Sequence, residues 1–329
     1  KVVRYNNVRA AIKLQFRDVD AFIHPDHRHR TDVRYIKKTL DTKLSHEDFV
    51  EFAEYIRSSG CMPMATPFDE ASVDLCVELG FNVLKLASSD LNDWILIEKM
   101  ASTRLPVIAS TGGSSLKDVD DLVTFFEHRS IPLALNHCVS LYPSEDSELE
   151  LNQIDFLRNR YPGVTIGFST HEYHDWRSSV MLAYAKGART FERHIDIEMD
   201  EVPVSPYCSL PHQVDEWFRA WHHAQEMCGG SSVEKRQPPT REVEYLDALV
   251  RGVYAKHDLP AGHRLTESDV FLAVPLLKGQ LSCRELIAGE QLLREVSAKA
   301  PITIDAMDNP YSRNAQLRDH ILSRGLDPE

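Results

Sequence analysis

Short apolar runs alternate with longer amphipathic stretches along most of this chain. Seven of the runs have the length and composition of buried strands, and the stretches between them have helical periodicity. The seven runs are residues 10–15, 61–65, 83–86, 107–109, 133–135, 164–168 and 189–191. An alternation of this kind, from about residue 10 to residue 227, predicts β-α units around a parallel sheet.

Local signals in the helical stretches support this interpretation. Ser45 and Asp48 have the spacing of a capping box at the start of one helix, and Gly60 stands where that helix is expected to end. A closed βα barrel has eight strands, each followed by a helix, and this chain shows seven of them. The predicted fold class is therefore α/β, a (β/α)8 TIM barrel whose first strand is not visible in this chain.

A change in composition predicts a second domain. Residues 228–242 contain paired glycines, serines and prolines, as expected of a linker at the end of the barrel domain. Further on, DLPAGHRL is echoed by ELIAGEQL, with Gly262 and Gly289 in matching places. Glycine adopts the positive φ angles of tight turns at little cost, so the echo predicts short strands that turn at these residues. We predict a barrel domain over 1–242 and a small all-β domain with a polar tail over 243–329.

The composition is acidic. The 329 residues include 50 Asp and Glu against 37 Lys and Arg, and the net charge of −13 opposes nonspecific attraction to nucleic acid or to anionic membranes. No apolar run approaches the roughly 18 residues that cross a bilayer, and the first residues lack the apolar core of a secretory signal. Six cysteines without CxxC spacing are typical of reduced packing thiols. We expect a soluble, cytoplasmic protein in which an anionic substrate needs a local basic pocket.

Polar side chains recur where the predicted strands end. The carboxyl ends of all strands in a parallel βα barrel meet at one rim, where such barrels build their active sites. The rim residues on successive strands are Lys13, Gln15, Thr66, Lys85, Ser88, Asp90, Ser110, Thr111, His137, Ser140, Ser169, His171, Glu192 and His194. Any one of them alone is as readily a side chain that caps a strand or a helix. Their joint placement on seven successive strands favours a functional site.

Two lysines and two histidines give this rim its expected chemistry. Lys13 and Lys85 interrupt apolar strands, and a buried ammonium group is costly unless an anion accompanies it. Lysines with hydroxyl donors predict a phosphate or carboxylate site. His171 and His194 end adjacent strands, from where they can share a divalent metal with substrate and water. A lone strand-end histidine is more often structural, so the metal hypothesis depends on the pair.

The rim motifs and the second domain together resemble one known family. Eight segments of this chain have the order and spacing of motifs in that family: AIKLQ, ATPFDEASVD, LKLASSDL, VIASTGG, HCVSLYP, GFSTH, GARTFERHI and CSLP. The family that they resemble is the sialic acid synthase family, which comprises the bacterial N-acetylneuraminate synthases and their relatives. The later run RGVYAKHDLPAGHRLTESDV resembles the antifreeze-like SAF domain that follows the barrel in that family. The resemblance covers about residues 8–300, and the chain is also similar to the branch called spore coat polysaccharide biosynthesis protein E.

The resemblance implies an enzyme of the transferase class. Members of the family condense phosphoenolpyruvate with an N-acylated hexose such as N-acetylmannosamine, and release phosphate and a nine-carbon 2-keto sugar acid for surface polysaccharide biosynthesis. The implied cofactor is Mn2+ or Mg2+. The implied assembly is a homodimer in which each SAF domain covers the other chain's barrel mouth, with the segment around 274–280 in that position here.

The resemblance also implies roles for individual residues. Family positions that hold phosphoenolpyruvate match Lys13, Thr66, Lys85, Ser88, Ser110, Ser140 and Ser169. The metal ligands match His171 and His194. Sugar-binding positions match Gln15, Asp90, Tyr142 and Ser205, and the catalytic candidates are Glu192 and Gln15.

Departures from the family pattern concern mainly the acceptor sugar. Ser205 stands where the family has an aspartate that meets the sugar, and Val274 stands where it has an arginine that reaches the sugar of the other subunit. Thr170 replaces the aspartate before His171, and the family's first-strand motif is not visible. Because the phosphoenolpyruvate positions are retained, we expect a different acceptor sugar or a partial loss of activity.

Two other hypotheses stay open at this point. One is a noncatalytic sugar-binding protein on the same scaffold, against which the joint retention of both lysines and both histidines argues. The other is an unrelated aldolase-type barrel, in which Lys85 is the candidate for a Schiff base with the substrate.

Overall fold

Seven parallel strands form one sheet in which each strand lies beside its neighbours in the sequence. The computed structural model describes residues 1–200, 202–230 and 233–327. The strands are β1 (Ala11–Phe16), β2 (Met62–Pro67), β3 (Leu84–Leu86), β4 (Val107–Ser110), β5 (Leu133–Cys138), β6 (Thr165–Thr170) and β7 (Thr190–Arg193). The sheet is a curled, TIM-like half-barrel, so the predicted fold class and its seven visible strands are confirmed.

A helix follows each of the seven strands, and one short helix precedes the first strand. In the first part of the chain the helices are α1 (Val2–Tyr5), α2 (Val19–Phe22), α3 (Arg34–Asp41), α4 (His46–Ser58), α5 (Glu70–Glu78), α6 (Trp94–Ser102), α7 (Leu116–His128), α8 (Asn152–Arg160), α9 (Ser178–Ala185) and α10 (Pro211–Cys228). Later helices are α11 (Thr240–Asp247), α12 (Pro310–Arg313) and α13 (Ala315–Ser323). Within the described ranges, no helix combines the length and the apolar content needed to span a membrane.

The predicted capping box fixes the start of α4. The Asp48 N–H donates to Ser45 Oγ at 3.1 Å, and the Ser45 N–H donates to Asp48 Oδ2 at 2.8 Å. At the other end of the helix, Gly60 has a φ of +84°, which a residue with a Cβ adopts only at a cost. Both signals are confirmed.

The later strands run further than their apolar residues indicate. β5 ends at Cys138 instead of 135, β6 at Thr170 instead of 168, and β7 at Arg193 instead of 191. Apolar runs mark where packing requires apolar side chains, whereas the backbone ladder continues through polar residues that find partners in the structure. Ser169 and Glu192 are therefore held by regular strands, whereas His171 and His194 directly follow theirs.

Alternation along the strands separates a packed outer face from a polar interior. Phe16 of β1 stacks on Phe49 of α4 with ring centroids 4.2 Å apart, and it meets Phe81 edge-on at 5.1 Å. Lys13 in the same strand reaches Glu192 of β7 at 3.6 Å, although β1 and β7 are the two edges of the sheet. The sheet is thus curled enough for its edges to share one hollow, which we call the barrel interior.

The described chain divides into two compact units between Gly229 and Gly230. The second unit pairs β8 (Gly252–Ala255) with β9 (Val270–Ala273), and β10 (Gln291–Leu292) with β11 (Met307–Asp308), both antiparallel. Its core includes Val253, Leu281 and Ile302, which are fully buried. A domain boundary at residue 242 stays a prediction.

The two echoed segments of the second unit bond to each other symmetrically. The Gly262 N–H donates to the Leu292 carbonyl and the Gly289 N–H to the Leu265 carbonyl, both at 2.7 Å. The N–H groups of Leu265 and Leu292 donate back across the same pair of segments, both at 2.9 Å. Gly262 and Gly289 have φ angles of +84° and +87°. The repeat in the sequence is thus a local two-fold arrangement in which each glycine makes the turn.

All six cysteines are free thiols. Cys61, Cys76 and Cys138 are buried. Burial raises the pKa of the Cys76 thiol to about 12, so this residue packs and is not a nucleophile at neutral pH.

Alanine at Gly262 or Gly289 is expected to lower the free energy of unfolding of the second unit by about 1–2 kcal/mol, because a Cβ disfavours left-handed backbone. A Cβ at Gly289 would meet nothing within 4 Å, and one at Gly262 would lie 3.4 Å from Gln291 Nε2. The cost is therefore conformational and similar at both sites. Calorimetric unfolding of the full chain measures it, with Gly163→Ala as the control. Equal Tm values for all three variants would contradict the prediction.

Candidate active site

A carboxylate between two lysines lies in the barrel interior. Lys13 Nζ is 3.6 Å from Glu192 Oε1, and Lys85 Nζ is 3.9 Å from Glu192 Oε2. Lys85, which is 3% exposed, donates to Ser110 Oγ at 2.6 Å. Lys13 donates to Thr66 Oγ1 at 3.0 Å. Two ammonium groups against one carboxylate leave an uncompensated positive charge in this cluster, which is the local basic pocket that an anion needs in an acidic chain.

The ionisation of this cluster reflects burial and the mutual attraction of its charges. Burial lowers the pKa of Lys85, and the Glu192 carboxylate opposes that shift. Burial also opposes ionisation of Glu192, but Lys85 and Lys13 outweigh it and hold the pKa of Glu192 below its ordinary value. An anion that enters beside Lys85 would favour the protonated amine further, so binding and protonation support each other.

Asn136 orients Glu192 from β5. Its Nδ2 donates to Glu192 Oε2 at 3.5 Å, while its Oδ1 accepts from Thr190 Oγ1 at 2.8 Å, which fixes the direction of the amide. A Cβ on Gly167 would lie 1.9 Å from Thr190 Oγ1 and 2.2 Å from Asn136 Oδ1. Glycine at position 167 of β6 therefore leaves the space in which the hydrogen bonds from Thr190 to Asn136 and from Asn136 to Glu192 form.

The neighbouring His137, which the rim pattern included, has a structural role instead. Its Nε2 donates to the Leu149 carbonyl at 2.7 Å, and its ring stacks on Phe168. His137 lies opposite Phe168 in the β5–β6 register, on the outer face of the sheet. Sequence reasoning chose the titratable residue and missed Asn136, although strand alternation from Ser169 and Glu192 points to the asparagine.

Gly112 leaves room for a cluster of hydroxyl groups. Its N–H donates to Ser88 Oγ at 3.1 Å. A Cβ on Gly112 would lie 2.3 Å from Ser140 Oγ and 2.9 Å from Ser88 Oγ, so only glycine fits. Hydroxyl and backbone N–H donors of this kind bind phosphate oxygens. The predicted Ser88 and Ser140 are brought together here, and Gly112 is an addition that the paired glycines of VIASTGG signal.

Two histidines and two tyrosines form an aromatic cluster. The ring centroids of His171 and His194 are 5.4 Å apart. Tyr142 lies 4.0 Å from His171, and Tyr207 lies 5.2 Å from His194. Tyr207 was not among the predicted residues, although it lies between the predicted Ser205 and the motif CSLP. Ser169, another predicted residue, is buried beside this cluster on β6, where it is the register partner of Glu192.

Burial lowers the pKa of both histidines to about 4, so both imidazoles are neutral at neutral pH. His171 Nδ1 lies 2.9 Å from the Val139 carbonyl, which only accepts hydrogen bonds. The proton of His171 is therefore on Nδ1, and Nε2 keeps its lone pair.

These imidazoles fit a divalent ion as a pair of donors. Metal–nitrogen bonds of about 2 Å allow rings at this separation to share one ion. Among residues 1–200, 202–230 and 233–327, no group of three or more His, Cys, Asp or Glu side chains is placed to hold a metal. The pair would therefore depend on substrate and water for the remaining ligands, as the sequence predicts.

Comparison with known proteins identifies the family of this chain. The NeuB family matches residues 7–232, and the SAF domain matches residues 250–306. The chain belongs to the NeuB family. The resemblance drawn from the sequence motifs, including the SAF domain, is confirmed.

Relatives of this NeuB-family chain include named synthases. A solved structure of spore coat polysaccharide biosynthesis protein E from Chromobacterium violaceum is 35% identical, with a TM-score of 0.89 over 94% of this chain and 93% of that one. The N-acetylneuraminate-9-phosphate synthase of Drosophila melanogaster is 32% identical over an alignment of 299 positions, which covers 80% of this chain and 79% of the relative. The N,N'-diacetyllegionaminic acid synthase of Legionella pneumophila is 26% identical over 239 residues, 71% of this chain and 65% of the relative.

Three further residues predicted for the NeuB sugar site differ in their surroundings. Gln15 Oε1 accepts from Arg17 Nη1 at 3.3 Å on an exposed part of the rim.

Asp90 Oδ1 accepts from Ser89 Oγ at 2.8 Å, and Oδ2 is buried without a hydrogen-bond partner in the described part of the chain. Burial raises the pKa of Asp90. The carbonyl of Ser205 accepts the Cys208 N–H at 2.9 Å in the loop before α10. Asp90 therefore has an oxygen free for a ligand hydroxyl.

Gly112→Ala is expected to weaken binding of inorganic phosphate about tenfold, because displacing one hydroxyl donor from an anion costs about 1.4 kcal/mol. Isothermal titration calorimetry with phosphate measures the change. Gly163→Ala, where an added Cβ meets nothing within 4 Å, is the matched control. The same phosphate affinity in the Gly112 variant and in the control would refute the hydroxyl cluster as an anion site.

Proposed function

We propose that this NeuB-family chain is a phosphoenolpyruvate-dependent sugar acid synthase. It condenses phosphoenolpyruvate with an N-acylated hexose of the N-acetylmannosamine type, and forms a nine-carbon 2-keto sugar acid and phosphate for surface polysaccharide biosynthesis. The observation that carries the proposal is the cluster of Lys13, Lys85 and Glu192 in the barrel interior, beside two neutral histidines. Relatives named as sialic and legionaminic acid synthases support it.

Phosphoenolpyruvate has two anionic groups, and the barrel interior offers two kinds of donor for them. Lys13 and Lys85 supply positive charge, and they are already aligned by Thr66 and Ser110. Ser88, Ser140 and Ser169 supply short directional hydrogen bonds, and the N–H of Gly112 holds the Ser88 hydroxyl in place. We assign the carboxylate and the phosphate to these groups jointly.

Glu192 is suited to stabilise positive charge. When C3 of phosphoenolpyruvate forms a bond to the aldehyde carbon of the sugar, the aldehyde oxygen takes up a proton and positive charge develops at C2. A carboxylate whose pKa is held low remains ionised beside that carbon. Water then adds at C2 and loses a proton, and the carbon–oxygen bond to phosphate breaks. Gln15, at the rim of the same strand as Lys13, can hold the attacking water or a sugar hydroxyl.

The histidines determine where the acceptor carbonyl lies. A divalent ion such as Mn2+ or Mg2+ held by His171 and His194 would supply Lewis-acid polarisation of that carbonyl. Tyr142 and Tyr207 pack beside both rings and limit access of water. Asp90 accepts a hydroxyl of the sugar through its unpartnered oxygen. Ser205 is the shorter, uncharged counterpart of a family aspartate, so the acceptor differs from N-acetylmannosamine on that side.

The proposal is tested by phosphate release from phosphoenolpyruvate across a panel of N-acylated hexoses with Mn2+. Lys85→Met is expected to weaken phosphoenolpyruvate binding at least tenfold, because a charge-assisted hydrogen bond contributes about 1.5–3 kcal/mol. Lys117→Met removes the same charge from a lysine that is 79% exposed and pairs with Asp121, and it should bind like wild type. No phosphate release with any hexose would indicate the noncatalytic alternative. Borohydride trapping of pyruvate on Lys85 would indicate the Schiff-base aldolase instead.

We further propose a homodimer in which the SAF domain of each chain covers the barrel mouth of the other. Val274, 56% exposed, follows β9 next to the stacked rings of Tyr254 and Phe271, so this segment offers an apolar surface to a second chain. In place of the family arginine, Val274 would form a wall that excludes water. Sedimentation of the full chain is expected to give a dimer at micromolar concentration. A monomer under these conditions would refute the proposed assembly.

A further inference from the structure

A second ion pair lies on the outer face of β6 and β7, behind the two histidines. Arg193 Nη1 is 2.8 Å from Glu172 Oε1, and the two side chains are 1% and 0% exposed. Arg193 also donates through Nη2 to the Glu172 carbonyl and through Nε to Ser209 Oγ. Glu172 accepts in addition from Thr170 Oγ1 and Ser179 Oγ. All three guanidinium nitrogens and both carboxylate oxygens therefore have partners inside the protein.

Strand alternation places this pair directly behind the site. Arg193 stands between Glu192 and His194 in the sequence, and successive side chains of a strand point to opposite faces. Because Glu192 faces the barrel interior, Arg193 faces away from it. The same alternation continues past β6, where His171 turns towards His194 and Glu172 turns outward to Arg193. Each member of the ion pair is thus the covalent neighbour of one histidine.

Arg193 joins the backbone segments that carry the two histidines. Its Nη2 holds the carbonyl of Glu172, the residue after His171. Its Nε donates to the hydroxyl of Ser209, and the N–H of Ser209 donates to the His194 carbonyl at 2.9 Å. Trp176 Nε1 donates to the same Ser209 hydroxyl at 2.9 Å. The guanidinium therefore fixes the backbone of one histidine relative to that of the other.

Stability alone is a poor explanation for this arrangement. The desolvation of two buried charges largely offsets their attraction, and an apolar pair of similar volume commonly stabilises a core as well. An apolar pair, however, has no directional bonds to the Glu172 carbonyl and to Ser209. The fork of an arginine makes several such bonds at fixed angles, which is a geometric constraint.

We propose that the Glu172–Arg193 pair is a positioning unit that holds the imidazoles of His171 and His194 at the separation required to share one divalent ion. The inference rests on the proposed function for the reaction that the ion assists. It is tested by metal binding itself, apart from turnover. Neither Glu172 nor Arg193 touches the substrate in this scheme.

The test is Mn2+ binding to the full chain, followed by electron paramagnetic resonance of the free ion. Glu172→Gln removes the charge and keeps the shape, whereas Arg193→Lys keeps the charge and removes the fork. Each is expected to weaken Mn2+ affinity roughly 10- to 100-fold, the range found for groups that orient metal ligands. In the synthase assay the loss should fall on kcat, with the KM for phosphoenolpyruvate unchanged.

Glu285→Gln is the matched control. Glu285 forms a comparable ion pair with Arg324 in the second unit, at 2.5 Å, with side chains 2% and 12% exposed, and it also accepts from Ser282 Oγ. The control should lower Tm as Glu172→Gln does and leave Mn2+ affinity at the wild-type value. Equal Mn2+ loss in both variants would mean general destabilisation and would overturn the proposal, as would wild-type affinity in Glu172→Gln.

The outcomes separate this inference from the proposed function. Mn2+ binding that depends on Glu172 supports the positioning unit even if no hexose reacts with phosphoenolpyruvate, a result that would overturn only the synthase. If the wild-type protein binds no Mn2+, a measurement that needs no metal tests the proposal instead. The Hε1 resonances of His171 and His194, assigned through His→Gln variants, should shift in Glu172→Gln and stay in place in Glu285→Gln. Unchanged resonances in Glu172→Gln would overturn the proposal.

Discussion

The attraction of two lysine ammonium groups to a single, partly buried carboxylate constrains the rest of this site. Lys13 and Glu192 belong to the two edges of the sheet, so their contact requires the curl that makes a hollow. Lys85, between them and almost fully buried, cannot be neutralised by Glu192 alone while Lys13 shares the same carboxylate. The hydroxyl groups of Thr66 and Ser110 accept from the two ammonium groups and aim them inward. A hollow arranged in this way favours an anion over a neutral molecule, although the chain as a whole is acidic.

Much of the fold follows from the sequence because parallel strands buried on both faces leave a strong apolar signal. All seven strands were predictable for that reason, whereas the capping box of α4 and the glycine turns of the second unit were predictable from residue types at fixed spacings. The ends of the strands were not predictable, since the apolar signal stops where polar residues begin, while the hydrogen-bond ladder of β6 continues to Thr170. The choice of His137 over Asn136 has a different origin. Attention to titratable residues overrode the two-residue period that assigns each side chain to a face.

Residue type points to candidate site residues, whereas the groups that support them are not visible in the sequence. Lys85 interrupts an apolar strand and His194 follows one, so both are candidates by type alone. Gly112, Gly167 and Tyr207 act through what lies next to them in space, and those neighbours come from other strands. A single sequence contains no record of such distances. The resemblance of the motifs suggests roles for individual residues, and these roles stay predictions.

Strand β7 and the residue after it, positions 190 to 194, contribute side chains to both faces of the sheet. On one face, Thr190 fixes Asn136, Glu192 meets both lysines and His194 joins the aromatic cluster. On the other face, Phe191 packs in the apolar core and Arg193 binds Glu172. A change to an inner residue alters chemistry directly. A change to an outer residue acts through the backbone it shares with two inner neighbours, and the role proposed for the Glu172–Arg193 pair depends on that shared backbone.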